Sequence, residues 1–184
     1  MNYELIINST STEVVLALLK NKQLIELHKE KHDNDFSVGD VYVGKVRKVI
    51  PSLNAAFVNV GYEKDAFLHY LDLGPQYRSM SGYIQKTLKG KQPSASLASS
   101  KIEADIDKHG KIKDILSSSQ LIAVQIAKEP ISSKGPRLTA EVTLAGRFVV
   151  LVPFSNKISI SQKIKDPEER DRLKRLLSSI RPKN

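Results

Sequence analysis

The chain has 184 residues, of which 29 are basic and 20 acidic, so its formal net charge at pH 7 is +9. Hydrophobic residues make up 40% and charged residues 27%, a composition that predicts one folded domain, or one domain and part of another, and excludes disorder throughout. Because the sequence contains no cysteine and only four histidines, disulfide frameworks, thiolate zinc sites and cysteine nucleophiles are excluded.

The first segment predicts short strands. Residues 3–8 and 23–28 are rich in β-branched and leucine side chains, and we interpret both as strands. Residues 12–20 carry valine and leucine too densely for a clear amphipathic period, so a strand and a short helix both remain possible there.

A meander of three strands follows. Residues 41–49 predict a long strand that bends, because Gly44 in its middle is typical of a bulge or a barrel corner. Residues 51–54 have the composition of a turn, and residues 55–60 and 66–70 predict the second and third strands.

The next stretch, residues 72–119, has little hydrophobic patterning, and residues 92–101 approach low complexity. We expect a flexible surface insertion whose one structured part is a helical turn at residues 112–116. Alternating residues at 121–128 and 137–144 then predict two more strands. Five short strands with a long insertion between the third and fourth match the OB-fold, a partly open barrel that binds oligonucleotides.

The last segment predicts a mainly β protein that finishes in a helix. Residues 148–153 and 157–164 are candidate strands, and residues 166–180 predict a helix with Asp166 as N-cap and Pro167 in its first turn. Beyond this helix we expect a larger domain to continue.

The basic excess is concentrated, with residues 39–128 carrying 13 basic and 8 acidic side chains. Such a local surplus makes a polyanionic partner plausible, although many basic domains bind none. No apolar run approaches the roughly 18 residues of a membrane span, and the start lacks a signal-peptide pattern, so we expect a cytoplasmic protein without a membrane span.

The second and third strands of the barrel predict a nucleic-acid-binding face. Phe57 and Phe67 are expected side by side, where aromatic rings stack on bases, although an aromatic residue in a strand is more often part of a core. Basic residues near this face are candidates for phosphate contacts, with simple solvation as the alternative for each: Lys45, Lys48, Lys128 and Lys134. Tyr62 and His69 are weaker candidates, since positions in a turn and at a strand edge are the better explanations for them.

No catalytic constellation is present. The sequence has no glycine-rich phosphate loop, and the densest acidic group, Glu103, Asp105 and Asp107, lies in the predicted flexible insertion, whereas a metal site needs fixed geometry. We therefore assign no catalytic residue and no metal ligand.

Two blocks carry a resemblance to a known family. Residues 41–69 (VYVGKVRKVIPSLNAAFVNVGYEKDAFLH) and 124–153 (VQIAKEPISSKGPRLTAEVTLAGRFVVLVP) resemble, in the same order, the amino-terminal part of the bacterial ribonuclease E/G family. In that family an S1 RNA-binding domain, an OB-fold, is inserted into a ribonuclease-H-like α/β subdomain. The resemblance implies an S1 barrel at residues 37–140, between the two parts of an incomplete ribonuclease-H-like subdomain at 1–36 and 141–184.

The resemblance also implies roles for individual residues. The family's stacking aromatics fall on Phe57 and Phe67, and its RNA-contacting lysines on Lys128 and Lys134. Part of the family's 5′-monophosphate pocket falls on Gly146 and Val150. The magnesium-binding aspartates and the zinc link between subunits fall outside these 184 residues, so the full-length enzyme implies both metals and this chain alone is expected to be inactive.

The leading interpretation is therefore the RNA-binding, amino-terminal portion of an endoribonuclease that cuts single-stranded RNA in RNA processing and decay. Partial exposure of residues 148–152 and self-association through the incomplete subdomain are expected. Two alternatives stay open: a free-standing S1-type RNA-binding or ribosome-associated protein, and a protein-interaction module in which Phe57 belongs to the core.

Overall fold

The computed structural model describes residues 2–31, 36–92, 97 and 100–180. By its internal contacts the chain forms two compact units, residues 1–37 and 38–184. None of the helices in these described ranges is long and apolar enough to span a membrane.

The first unit is an antiparallel sheet of three strands in the order β1-β2-β3, formed by Tyr3–Ser9, Glu13–Lys20 and Gln23–Lys31. Residues 12–20 are thus a strand and not a helix. The unit, taken by itself, leaves large apolar side chains of its outer strands exposed, among them Leu5, Ile7 and Leu27.

The second unit contains a closed barrel of five strands in the order β4-β5-β6-β8-β7. Four neighbouring pairs are antiparallel, and β6 pairs with β8 in parallel. This barrel confirms the mainly β, OB-type fold that the sequence predicts. Its strands are β4 Val41–Ile50, β5 Ala55–Asn59, β6 Ala66–His69, β7 Leu121–Lys128 and β8 Arg137–Thr139.

Alternate side chains of these strands point into the barrel, as the two-residue period of a strand requires. All five strands contribute fully buried residues: Val46, Ala56, Val58, Ala66, Leu68, Ile122, Val124, Ile126 and Leu138. The register of β4 with β5 shifts between Val46 and Lys48, the mark of a β-bulge or irregularity there. Gly44 is needed for close packing inside the barrel, because a Cβ at this position would lie only 2.6 Å from Val58 Cγ1.

The segment between β6 and β7 contains a helix that the sequence analysis missed, α1 at Tyr77–Leu88. The expectation that the turn near Ile112 is its one structured part is therefore wrong. A helical spacing was present in Tyr77, Met80, Ile84 and Leu88, but serines and Gly82 between them diluted the hydrophobic pattern. Residues 93–96 and 98–99, most of the low-complexity stretch, lie outside the described residues, and the flexibility of the insertion stays a prediction.

Buried side chains attach this insertion to the barrel. Leu73, Tyr77 and Ile112 are almost completely buried. Burial raises the pKa of Tyr77 to about 12, against the lowering effect of hydrogen bonds with Ser81 and Gln120. The neutral Tyr77 hydroxyl accepts a hydrogen bond of 3.3 Å from the side-chain amide of Gln120, the residue immediately before β7.

A second attachment is made by one asparagine. Asn54 ends the 3₁₀ turn Pro51–Leu53 after β4 in the left-handed conformation, with φ of 47°. Its side-chain amide donates to the Gly110 carbonyl at 3.1 Å, and its Oδ1 accepts from the Ile112 N–H at 2.6 Å. One side chain thus satisfies two backbone groups 56 and 58 residues away.

The rest of the second unit is a small antiparallel sheet in the order β11-β10-β9 and a helix. The predicted strand at 137–144 is in fact two strands, because β8 stops at Thr139 and β9 is separate. The helix confirms the sequence prediction, since Asp166 Oδ1 accepts from the Glu168 N–H at 3.0 Å as an N-cap. The elements are β9 Leu144–Ala145, β10 Val149–Leu151, β11 Ser159–Ile160 and α2 Pro167–Ile180.

The asparagine attachment predicts a large effect of a small substitution. Asn54→Ala is expected to lower the free energy of unfolding by about 2 kcal/mol, because the Ile112 N–H loses its acceptor and alanine tolerates the left-handed backbone poorly. Asn54→Gly removes the same two hydrogen bonds without backbone strain and is also expected to destabilise. Urea denaturation measures both, with the exposed Ser52→Ala of the same turn as control. Wild-type stability of Asn54→Gly would contradict a role for the amide.

Candidate nucleic-acid interface

Two aromatic rings lie together on the outer surface of the barrel. Phe57 on β5 and Phe67 on β6 are directly opposite residues of an antiparallel pair. Their ring centroids are 5.9 Å apart and their planes meet at 69°, an edge-to-face arrangement. Both side chains are partly exposed, whereas their strand neighbours Ala56, Val58, Ala66 and Leu68 are buried. The two rings thus lie side by side, as predicted, and neither belongs to the fully buried core.

Basic side chains flank the two rings on one cross-strand row. Lys48 on β4 lies opposite Phe57, and Arg137 on β8 lies beside Phe67. Lys128 on β7 in turn lies opposite Arg137. We call Lys48, Phe57, Phe67, Arg137 and Lys128 the cross-strand row. Its order around the barrel is cation, ring, ring, cation, cation.

Arg137 was not among the residues singled out from the sequence. Its Nη2 and Nε lie 2.9 and 3.2 Å from Asp72 Oδ2. Asp72 is itself held by its carbonyl oxygen, which accepts from the Thr139 hydroxyl and the Ala140 N–H. The arginine is the first residue after the Gly135-Pro136 turn, and only its pairing with β6 relates it to Phe67.

Lys45 and Lys134 lie near the row but not on it. Lys45 is exposed on β4 opposite Asn59, two residues beyond Phe57 on the same face of β5. Lys134 is exposed in the turn between β7 and β8, where it exchanges backbone hydrogen bonds with Ile131. That turn packs on the β5–β6 turn, since a Cβ on Gly135 would lie 2.4 Å from the Asp65 carbonyl oxygen.

The two weaker candidates have structural explanations. His69 Nδ1 accepts a hydrogen bond from the Leu71 N–H at 3.2 Å and so caps the 3₁₀ turn that follows β6. Tyr62 lies partly buried in the turn between β5 and β6.

Gly146 and Val150 lie close together in another part of the second unit. The Gly146 N–H donates to the Val149 carbonyl at 2.9 Å, and Val150 pairs with Ala145. Both residues therefore belong to the hairpin of β9 and β10. In this hairpin the Arg147 guanidinium lies 5.1 Å from the ring centroid of Phe148.

The carboxylates of the insertion are used locally. Glu103 forms an ion pair with Lys101 at 2.8 Å, and this hydrogen-bonded cation lowers the pKa of the Glu103 carboxyl. Asp107 Oδ1 accepts from the His109 N–H at 2.9 Å. Across the described residues, no group of three or more histidine and carboxylate side chains is arranged to hold a metal ion.

Comparison with known proteins gives consistent matches. The profile of the ribonuclease E/G family matches residues 143–184. Ribonuclease G of Escherichia coli strain K12 is 32% identical over 178 residues, which cover 97% of this chain and 32% of that protein. Ribonuclease G of Haemophilus influenzae is 35% identical over 174 residues, covering 95% of this chain and 32% of the relative.

A ribonuclease E is also similar. The protein from Nostoc sp. strain PCC 7120 is 38% identical over 146 residues, which cover 79% of this chain and 17% of that protein. The chain thus spans about a third of the length of the ribonuclease G relatives that it matches.

Proposed function

Because this chain belongs to the ribonuclease E/G family, we propose that its barrel captures single-stranded RNA for an endoribonuclease acting in RNA processing and decay. The observation that carries the proposal is the pair of partly exposed rings, Phe57 and Phe67, between cations on one row of the barrel surface. A membrane or an acidic protein would need the cations but not the rings. Unpaired bases next to phosphates need both.

The two phenylalanines have the roles of stacking platforms. Stacking of a base on an exposed aromatic ring contributes about 1–3 kcal/mol and tolerates every base. The edge-to-face contact at 5.9 Å holds the two rings at a defined angle, so less conformational freedom is lost when RNA binds. Double-stranded RNA hides its base faces, and the proposed site therefore discriminates against it.

The flanking cations have the role of phosphate ligands. Lys48 lies next to one ring and Arg137 next to the other, with Lys128 one strand further. Lys45 and Lys134 add positive charge on neighbouring strands and turns. Asp72 Oδ2 accepts from Nε and Nη2 of Arg137, so the guanidinium keeps its other N–H donors for a phosphate.

The proposal assigns capture, and not cleavage, to these 184 residues. We propose that the magnesium and zinc implied for the full-length family enzymes are held by residues outside this chain, and no step proposed here uses either metal. We further propose that the S1-type barrel, residues 37–140, is inserted in the sequence between two parts of a ribonuclease-H-like subdomain, residues 1–36 and 141–184. We also propose that the protein acts in the cytoplasm.

Loss of either ring is expected to weaken RNA binding by more than fivefold. Phe57→Ala and Phe67→Ala each remove about 1–3 kcal/mol of stacking while leaving the inward-facing core intact. Fluorescence anisotropy with a 5′-phosphorylated single-stranded RNA measures the affinity, and a duplex of the same sequence tests selectivity for single strands. Incubation of the RNA with this chain in Mg²⁺ tests whether the chain alone lacks nuclease activity, in which case the RNA is recovered uncut. Tyr3→Ala, an exposed aromatic of the first unit, is the control. Unchanged affinity together with an unchanged thermal transition would refute the assignment.

Neutralising the proposed phosphate ligands is expected to change the salt dependence. Each of Lys128→Gln and Lys134→Gln should reduce the slope of log affinity against log salt by about 0.7, the value for one phosphate contact on a single strand. Lys31→Gln in the first unit removes the same charge and is expected to leave the slope unchanged. Equal changes in all three variants would mean that net charge alone, and not a local contact, governs binding.

Residues 141–180 have two proposed roles of their own. Gly146 and Val150 form part of a 5′-monophosphate pocket, so a 5′-hydroxyl RNA of the same sequence is expected to bind more weakly than the 5′-phosphorylated RNA.

Apolar side chains around a cleft of about 270 Å³ between β10, β11 and α2 form a surface for a second copy of the chain. Leu151 and Ile180 there are 57% and 67% exposed. Sedimentation at two concentrations measures this association, and a monomer at both would refute it.

A further inference from the structure

The insertion between β6 and β7 has an unusual charge distribution. From Leu73 to Ile102 the sequence contains five basic residues and no aspartate or glutamate. They are Arg78, Lys86, Lys89, Lys91 and Lys101. Mixed charges are the rule on protein surfaces, so thirty residues with cations alone create a locally positive potential.

Three of these lysines surround the carboxyl end of α1. Lys86, Lys89 and Lys91 are all exposed. The ion pairs within the described part of the chain do not include them, although Lys86 contributes, after Lys101, to lowering the pKa of the Glu103 carboxyl. We call Lys86, Lys89 and Lys91 the α1 lysines.

The backbone that carries the α1 lysines is held in a defined conformation. Gly90 has φ of +63°, and its N–H donates to the Thr87 carbonyl at 2.9 Å. The Lys91 N–H donates to the Lys86 carbonyl, also at 2.9 Å. These two bonds form a Schellman motif, which ends the helix and fixes the three lysine positions relative to one another.

The same end of α1 is anchored beside the candidate interface. Gln85 Nε2 donates to the Leu121 carbonyl at 2.9 Å. Leu121 on β7 lies directly opposite Lys45 on β4, and Lys45 lies opposite Asn59 on β5. β5, which carries Phe57, is therefore followed around this side of the barrel by β4, β7 and the end of α1 as successive neighbours.

We propose that the α1 lysines bind the phosphates of nucleotides outside those stacked on Phe57 and Phe67, so that the RNA site extends from the barrel across Lys45 onto the insertion. This inference rests on the proposed function and adds to it a second contact region on a segment outside the barrel strands. Lysines near a helix carboxyl end also stabilise the helix, and the experiment below separates that role from RNA binding.

The test is the length dependence of binding by a triple variant, Lys86→Gln, Lys89→Gln and Lys91→Gln. A strand of about 4 nucleotides is at the short end of OB-fold site sizes and fits the barrel face alone, whereas one of about 20 nucleotides exceeds the roughly 16-nucleotide upper end. The variant should bind the short strand within twofold of wild type and the long strand at least tenfold more weakly. Its salt slope on the long strand should fall by about 2, or about 0.7 for each lost contact.

Matched variants make the result specific. The control changes Lys108, Lys111 and Lys113 to glutamine, which removes the same charge. These exposed lysines lie in the same insertion, close in sequence to Gly110 and Ile112, whose backbone Asn54 binds. That variant should bind both strands like wild type. Replacing the α1 lysines with arginine should restore long-strand binding, and far-ultraviolet circular dichroism checks that α1 is intact.

Several outcomes would overturn the inference. Equal losses in the two glutamine triples would show an effect of net charge alone, and equal losses on short and long strands would show damage to the barrel face. No loss on either strand would also refute it. If Phe57→Ala weakens short-strand binding in the same assay, only this inference has failed; if Phe57→Ala has no effect, the proposed function itself has failed.

Discussion

Closure of the barrel through β8 is the constraint on which the candidate interface depends. β8 has only three residues, yet it pairs in parallel with β6 and antiparallel with β7. The Phe67 N–H donates to the Pro136 carbonyl at 2.9 Å just before this strand begins. Because the strand is short, its register is determined by these few bonds, and the register places Arg137 between Phe67 and Lys128.

The exposure of the two rings follows from burial on the opposite face. Ala56 and Val58 on β5, with Ala66 and Leu68 on β6, fill the barrel. A one-residue slip of either strand would exchange the buried and exposed sets. A bulky ring and the polar side chain of Asn59 or His69 would then have to fit where small apolar residues now pack, which strongly opposes the slip. The same packing that stabilises the barrel therefore keeps Phe57 and Phe67 at the surface.

The insertion depends on the barrel more than on its own hydrophobic pattern. Asn54 holds the backbone at Gly110 and Ile112, and Gln85 holds α1 on β7. Tyr77, the buried first residue of α1, accepts a hydrogen bond from Gln120. A twelve-residue helix with few apolar side chains is marginal in water by itself. Docking on a preformed barrel makes it stable, and it also determines where its basic end lies.

The sequence predicts the barrel strands and the final helix, because a two-residue alternation and an N-cap at Asp166 are local signals, but it leaves residues 12–20 open between a strand and a helix. It also determined that Phe57 and Phe67 share a face, since one tight turn joins β5 and β6 and fixes their register. Arg137 and α1 were missed, and the strand predicted at 137–144 was too long. The spacing of α1 was present in the sequence but diluted, and its docking on the barrel stabilises it. The place of Arg137 and the end of β8 depend on the tertiary structure, because pairing between β6 and β8 joins residues 70 positions apart. Such pairing depends on closure of the whole barrel, and no local pattern encodes it.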